Sequence, residues 1–158
     1  MSTSATEGAG VVIDTTDPRS PAAAGALGRY FAELVDRFGF DAPAGADDLA
    51  AFEPPDGTFL VVRDGARIVG CAGLRRLDSS TAEVKRMWID PACRGRGLAR
   101  RLLGALEDAA RAAGRTRVVL DTHSALREAI ALYERSGYRS IERYNDNPDA
   151  QRWFAKQL

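Results

Sequence analysis

Apolar residues recur along the chain with two periods, and each change of period marks an element boundary. The first run, Gly10-Val-Val-Ile-Asp14, reads as a short strand. Ser20-Pro21 opens a helix, with serine as N-cap and proline at the first position, where a missing N–H is harmless. Leu27, Tyr30, Phe31, Leu34, Val35 and Phe38 follow at helical spacing and predict an amphipathic helix from Pro21 to Phe38. Residues 39–45 read as loop, and 46–52 as a short helix that stops before Pro54-Pro55. Two strand-like runs, Thr58 to Arg63 and Arg67 to Arg75, flank Asp64-Gly65, a hairpin signal. Thr81 to Ile89 is the next strand, antiparallel because its connection is short. After the loop 90–97, Leu98, Leu102, Leu103, Leu106 and Ala110 form one helical stripe, with Gly114 just past its end. Arg117 to Asp121 is a strand reached by crossover, and Ala125 to Ser136 a helix ended by Gly137. Residues 138–144 and 151–158 read as a last strand pair around Asn145-Asp-Asn-Pro148. The order predicts a mixed α/β sheet with helices packed on its faces.

Composition narrows the class. The 158 residues fit one domain, and 45% hydrophobic with 28% charged residues is neither a disordered nor a fibrous balance. Lys+Arg and Asp+Glu are both 22, so the net charge is zero, which argues against a nucleic-acid-coating or membrane-surface protein. No stretch approaches the roughly 20 apolar residues of a membrane helix. Met1 to Gly10 lacks the pattern of a signal peptide, and residues 1–9 read as a disordered tail before a domain spanning 10–158. Together these features predict a cytoplasmic protein with Cys71 and Cys93 as thiols. One histidine, His123, and two cysteines are too few for a His/Cys zinc cluster, and no metal site is expected. Catalysis is left to carboxylates, tyrosine, backbone groups or a cofactor.

The segment Ile89-Asp-Pro-Ala-Cys-Arg-Gly-Arg-Gly-Leu-Ala-Arg100 is the most informative. A strand enters a glycine-rich turn that becomes a helix N-terminus. Backbone N–H groups and the positive end of the helix dipole suit a phosphate there. Gly95 and Gly97 allow close backbone approach, and Arg94, Arg96, Arg100 and Arg101 add positive charge. Asp121 ends the next strand, as a dinucleotide site would require, but Arg100 stands where that fingerprint needs a third glycine. The absence of GK[ST] excludes a P-loop.

Arg94-Gly-Arg-Gly97-Leu-Ala99 resembles the [Q/R]-x-x-G-x-[G/A] signature of the GNAT N-acetyltransferase superfamily. Residues 82–91 look like the family's fourth strand, and 119–122 like its fifth. Ala129-Ile-Ala-Leu-Tyr-Glu-Arg-Ser-Gly-Tyr138 looks like its A-x-x-L-Y-x-x-x-G-[F/Y] segment. The resemblance covers nearly the whole chain. It implies a mostly antiparallel sheet with a splayed parallel central pair and helices on both faces.

The resemblance also implies acetyl-CoA as co-substrate, bound between the splayed fourth and fifth strands. The N–H groups of Arg94, Gly95, Arg96, Gly97, Leu98 and Ala99 would then hold the pyrophosphate. Met87, Trp88 and Ile89 would lie along the pantetheine arm, with backbone groups of Met87 and Ile89 pairing to it like an added strand. Tyr133 matches the tyrosine that protonates the departing thiolate, and Glu83 matches a glutamate base of the histone-acetylating branch. Dispersed water networks serve as base in many relatives and remain the alternative to Glu83. Leu126 stands where many relatives carry a pantetheine-binding asparagine, so by the resemblance one such contact is missing or is replaced by Thr122 or Ser124.

By the same resemblance, Tyr30, Phe31, Arg37, Phe40 and residues 144–147 flank the acceptor. Asp78, Glu83, Asp146 and Asp149 could favour a cationic amine. The implied acceptor is a small-molecule amine or a protein lysine or N-terminus, with neither nucleic acid nor membrane as partner and a homodimer left open. The expected activity is N-acetyl transfer by direct attack on the thioester. An acyl-CoA-binding module without turnover, or a transferase of longer acyl groups, stands beside it.

Overall fold

The structure, a computed structural model, describes residues 10–39 and 46–158. The tail reading of residues 1–9, the loop reading of 40–45 and Phe40 lie outside the described residues. Seven strands form one sheet in the order β1-β2-β3-β4-β5-β7-β6. They are β1 (Val11–Thr15), β2 (Gly57–Asp64), β3 (Arg67–Arg76), β4 (Thr81–Ile89), β5 (Arg117–Thr122), β6 (Arg139–Ile141) and β7 (Arg152–Gln157). Three α-helices accompany them: α1 (Pro21–Phe38), α2 (Leu98–Ala112) and α3 (Arg127–Arg135). Every strand pair is antiparallel except β4–β5. The mixed sheet is thus the one its sequence predicts. No helix among the described residues is long and apolar enough to cross a membrane.

Each helix buries one stripe. Leu102, Leu103, Leu106 and Ala110 of α2 are fully buried against β2 to β5, and the less completely buried Ile130, Leu132 and Tyr133 of α3 belong to the same cluster. On the opposite face, Ala23, Ala26 and Leu27 of α1 pack with Phe52, Phe59, Val61, Cys71 and Trp88. The seat of α1 differs from the sequence expectation. Its small residues make the close contact with the sheet, whereas Val35 stays exposed and lines a cavity. Two alanines let the helix axis approach the strands, and the larger residues Tyr30 and Phe31 then lie beside the core instead of inside it.

Local signals explain the ends. Ser20 Oγ accepts from the Ala23 N–H at 3.2 Å, and Gly39 closes α1 in the left-handed region at φ 65°. The last strand pair is shorter than the sequence suggests, because β6 is only Arg139–Ile141. The chain leaves the sheet there, and Tyr144, Asn145 and Asn147 turn to acidic partners on β4 and β5.

Replacing Leu106 by alanine should cost about 2–5 kcal/mol, the usual range for a fully buried leucine that leaves a cavity. Urea unfolding checks this, and a loss under about 1 kcal/mol would show that α2 is seated differently.

Candidate active site

The central strands pair only part-way. β4 and β5 are in register from Thr81↔Arg117 to Val84↔Leu120, and there the parallel ladder stops. From Lys85 to Ile89, β4 pairs with β3 on one side and has no strand partner on the other. A β-bulge accompanies the parting. Cys71 faces Trp88 and Gly73 faces Lys85, so Arg86 and Met87 together oppose Ala72. The extra residue reverses the side-chain alternation: Val84 packs in the α2 layer and Trp88 in the α1 layer. Arg86 carries the bulge at φ 57°, a conformation that costs a residue other than glycine about 1–2 kcal/mol. Neighbours hold it there: Cys71 Sγ donates to the Arg86 carbonyl at 3.5 Å, and the guanidinium lies over Phe31 and Phe52. Burial pushes the Cys71 thiol up to about 12, so it stays protonated.

The opening leads into a cavity of about 810 Å³ between α1, β4, β5 and α3. Its far end is the turn that joins β4 to α2. Asp90 fixes that turn: its Oδ1 accepts from the Ala92 N–H at 2.9 Å, and its other oxygen pairs with Arg29. The Ala92 N–H first, then Arg29, hold the Asp90 carboxyl below its ordinary range. Gly95 and Gly97 then take φ 83° and 76°, which glycine adopts without strain. Gly97 is the N-cap of α2 and supplies no side-chain cap, so the helix begins without a side chain on its first N–H groups. A Cβ at either glycine would meet nothing within 4 Å, so the space above the loop is open. Uncapped N–H groups beside open space fit an anionic pyrophosphate.

At the apex of the parted strands sits a polar network. Lys85 Nζ lies 2.9 Å and 3.1 Å from the Asp121 oxygens and 3.6 Å from Glu83. Glu83 is fully buried and accepts from Arg75 Nε at 2.8 Å, Tyr144 Oη at 2.6 Å and Asn145 Nδ2 at 3.3 Å. Asn145 also donates to Asp121 and receives the Trp153 indole N–H. Lys85 and Asp121 line the cavity, and Glu83 does not. Tyr133, on α3, lines the same cavity. Burial first, and the Asp121 charge second, raise its phenol well above the ordinary value. Tyr133 therefore stays protonated where an exposed tyrosine begins to ionise, near pH 10.

The family described as Acetyltransferase (GNAT) family matches residues 28–138, most of the elements that build this cleft. The chain belongs to the GNAT acetyltransferase family. It is 40% identical over 92 residues to an IAA acetyltransferase of Azospirillum brasilense, covering 58% of this chain and 60% of that one. The match thus spans under two thirds of that relative's length. An acetyltransferase from Streptococcus agalactiae superimposes with a TM-score of 0.81 at 26% identity, over 94% of this chain and 99% of the other. The protein yncA of Salmonella typhimurium, solved with its cofactor acetyl-CoA, shares the fold with a TM-score of 0.70 at 21% identity over 94% of both chains.

Within this GNAT fold the sequence-derived residues fall into two groups. Met87, Trp88, Ile89, Arg94, Gly95, Gly97, Leu98, Ala99 and Tyr133 all line the cavity, as do Tyr30, Phe31, Arg37, Thr122 and Leu126. Others face elsewhere. The Arg96 guanidinium pairs with Asp64 at 3.2 Å, leaving only its backbone to the loop. Arg101 reaches the Val11 carbonyl. Asp78 caps the β3–β4 turn by accepting from Ser80 and Thr81 N–H groups, so it is no part of the cleft. Asn147 and Asp149 line the cavity, whereas Asp146 and Ser124 do not. Sequence reasoning missed Lys85, Asp121 and Asn145 as a unit. The signal for Asp121 was a single carboxylate closing an apolar strand, one residue past the last paired position.

Gly97→Ala should lose at least tenfold in acetyl-CoA affinity while costing only about 1–2 kcal/mol in stability, the strain of a left-handed alanine. Calorimetric titration beside thermal unfolding separates the two effects. Unchanged affinity would remove the loop from the binding site.

Proposed function

We propose that this protein moves an acetyl group from acetyl-CoA to a primary amine by direct attack of the amine on the thioester. The observation that carries this reading is the joining, in one cavity, of parted parallel strands and an uncapped, glycine-lined helix start. The loop N–H groups from Gly95 to Ala99 hold the pyrophosphate, and Arg94, whose own N–H donates to the Pro91 carbonyl at 3.4 Å, contributes its guanidinium. Backbone groups of Met87 and Ile89, on the unpaired edge of β4, pair with the amides of the pantetheine arm. That pairing completes a strand ladder which the protein alone leaves open. The acetyl-CoA named with the Salmonella protein supports the same co-substrate here.

The chemistry asks little of the protein. The amine nitrogen bonds to the thioester carbon, the C–S bond breaks, and the thiolate takes a proton. A thiolate is a fair leaving group, so one positioned acid suffices. Tyr133, which lines the cavity from α3 and carries its proton at neutral pH, is that acid. β4 N–H groups at the bulge stabilise the oxyanion. The amine must shed a proton as it attacks. Glu83 receives it indirectly, because its carboxylate is closed off by Arg75, Tyr144 and Asn145 and any proton must pass through those neighbours or water. The acceptor enters past Tyr30, Phe31 and Arg37, where aromatic and charged groups line the cavity together.

A panel of primary amines assayed for thiol release from acetyl-CoA tests the reading. Tyr133→Phe should lower turnover about tenfold or more while acetyl-CoA binding stays within twofold. Equal turnover in the variant would remove Tyr133 from the acid role, and CoA binding without turnover on any amine would favour a binding module.

A further inference from the structure

One carboxylate in the cavity ties together several of the elements around it. Both carboxylate oxygens of Glu33, on α1, accept from the Arg94 Nη2 at 2.8 Å. Glu33 also accepts from the Trp88 indole N–H at 3.1 Å and from Arg37 at 3.3 Å. Arg37 continues to Glu128 of α3 at 3.1 Å. Glu33 thus joins the acceptor-side helix, the unpaired strand and the phosphate loop. Arg94 itself is held at the loop by a bond from its Nε to the Ile89 carbonyl at 3.0 Å. That carbonyl belongs to the strand edge on which the pantetheine is expected. The carboxyl of Glu33 is held below its ordinary range by the Arg94, Trp88 and Arg37 donors, which outweigh its partial burial, so it is an anion at neutral pH.

Both Glu33 oxygens share the one Arg94 Nη2, an end of the guanidinium that suits a phosphate oxygen equally well. We propose that Glu33 is an internal anion that competes with acyl-CoA for Arg94, occupying its guanidinium until the pyrophosphate takes its place. This inference rests on the reading of the Arg94–Ala99 loop as the pyrophosphate site. Two physical consequences share one sign. Binding must first part the Arg94–Glu33 pair, and the pyrophosphate then arrives beside a carboxylate of like charge. Both oppose binding, and both vanish when Glu33 is neutral. A carboxylate that only braced α1 against the loop would act in the opposite direction, because its removal would loosen the site.

The test compares two thioesters in calorimetric titrations of the full chain. One is acetyl-CoA; the other is acetyl-pantetheine, which keeps the arm and the thioester but has no pyrophosphate. Glu33→Gln should bind acetyl-CoA three- to tenfold more tightly than the native chain, with acetyl-pantetheine unchanged within twofold. Glu33→Asp, which keeps the charge, should stay near the native value. If the glutamine variant folds poorly by thermal unfolding, Glu33→Ala takes its place and should show the same selective gain for acetyl-CoA. Weaker or unchanged acetyl-CoA binding by Glu33→Gln would overturn the proposal, as would an equal gain for both thioesters. A native chain that binds no acetyl-CoA would instead overturn the reading of the loop on which it rests.

Discussion

The structure depends on the place where two parallel strands stop pairing. Up to Val84 and Leu120 the β4–β5 ladder satisfies the backbone of both strands. Past it, five residues of β4 present an edge inside the protein rather than at its rim. An unpaired interior edge is costly unless something polar meets it. The Lys85–Asp121 ion pair spans the first unpaired position with side chains, and the amide-rich arm of a bound thioester is suited to the rest. The bulge at Arg86 makes the parting permanent by turning β4 and reversing its faces.

Other features follow from that opening. α1 must approach the sheet closely on one side, which Ala23 and Ala26 permit, so its larger residues are left to line the cavity. α2 must start at the end of β4 with its N–H groups bare, which Gly97 permits. The β6–β7 connection must leave the sheet to bring Asn145 to the two carboxylates at the apex. A short β6 is the consequence. The cleft is therefore lined by backbone on one wall and by aromatic, aliphatic and charged side chains on the others.

Much of this was legible before any coordinates. The apolar stripe of α2 is buried where the spacing put it, and the hairpin at Asp64-Gly65 pairs as that dipeptide suggests. The Arg94–Ala99 loop was readable because glycine spacing, arginines and a strand-to-helix transition coincide in one short segment. What was not legible is long-range. Nothing near Glu83 in sequence announces Tyr144, Asn145 or the closed cage they make. Nothing local distinguishes Arg96, which turns to Asp64, from Arg94, which turns to Glu33. Periodicity also overstated α1: it marked the large apolar residues, while the helix seats itself by its small ones.

The central claim is that the unpaired edge of β4 and the bare start of α2 are one continuous site. Backbone amide NMR during titration with acetyl-CoA tests it most directly. The account predicts that the largest shifts fall on residues 87–89 and 94–99 together, at a single affinity, with β1 and β2 unmoved. Shifts confined to another face of the sheet, or to the loop without the strand, would contradict it.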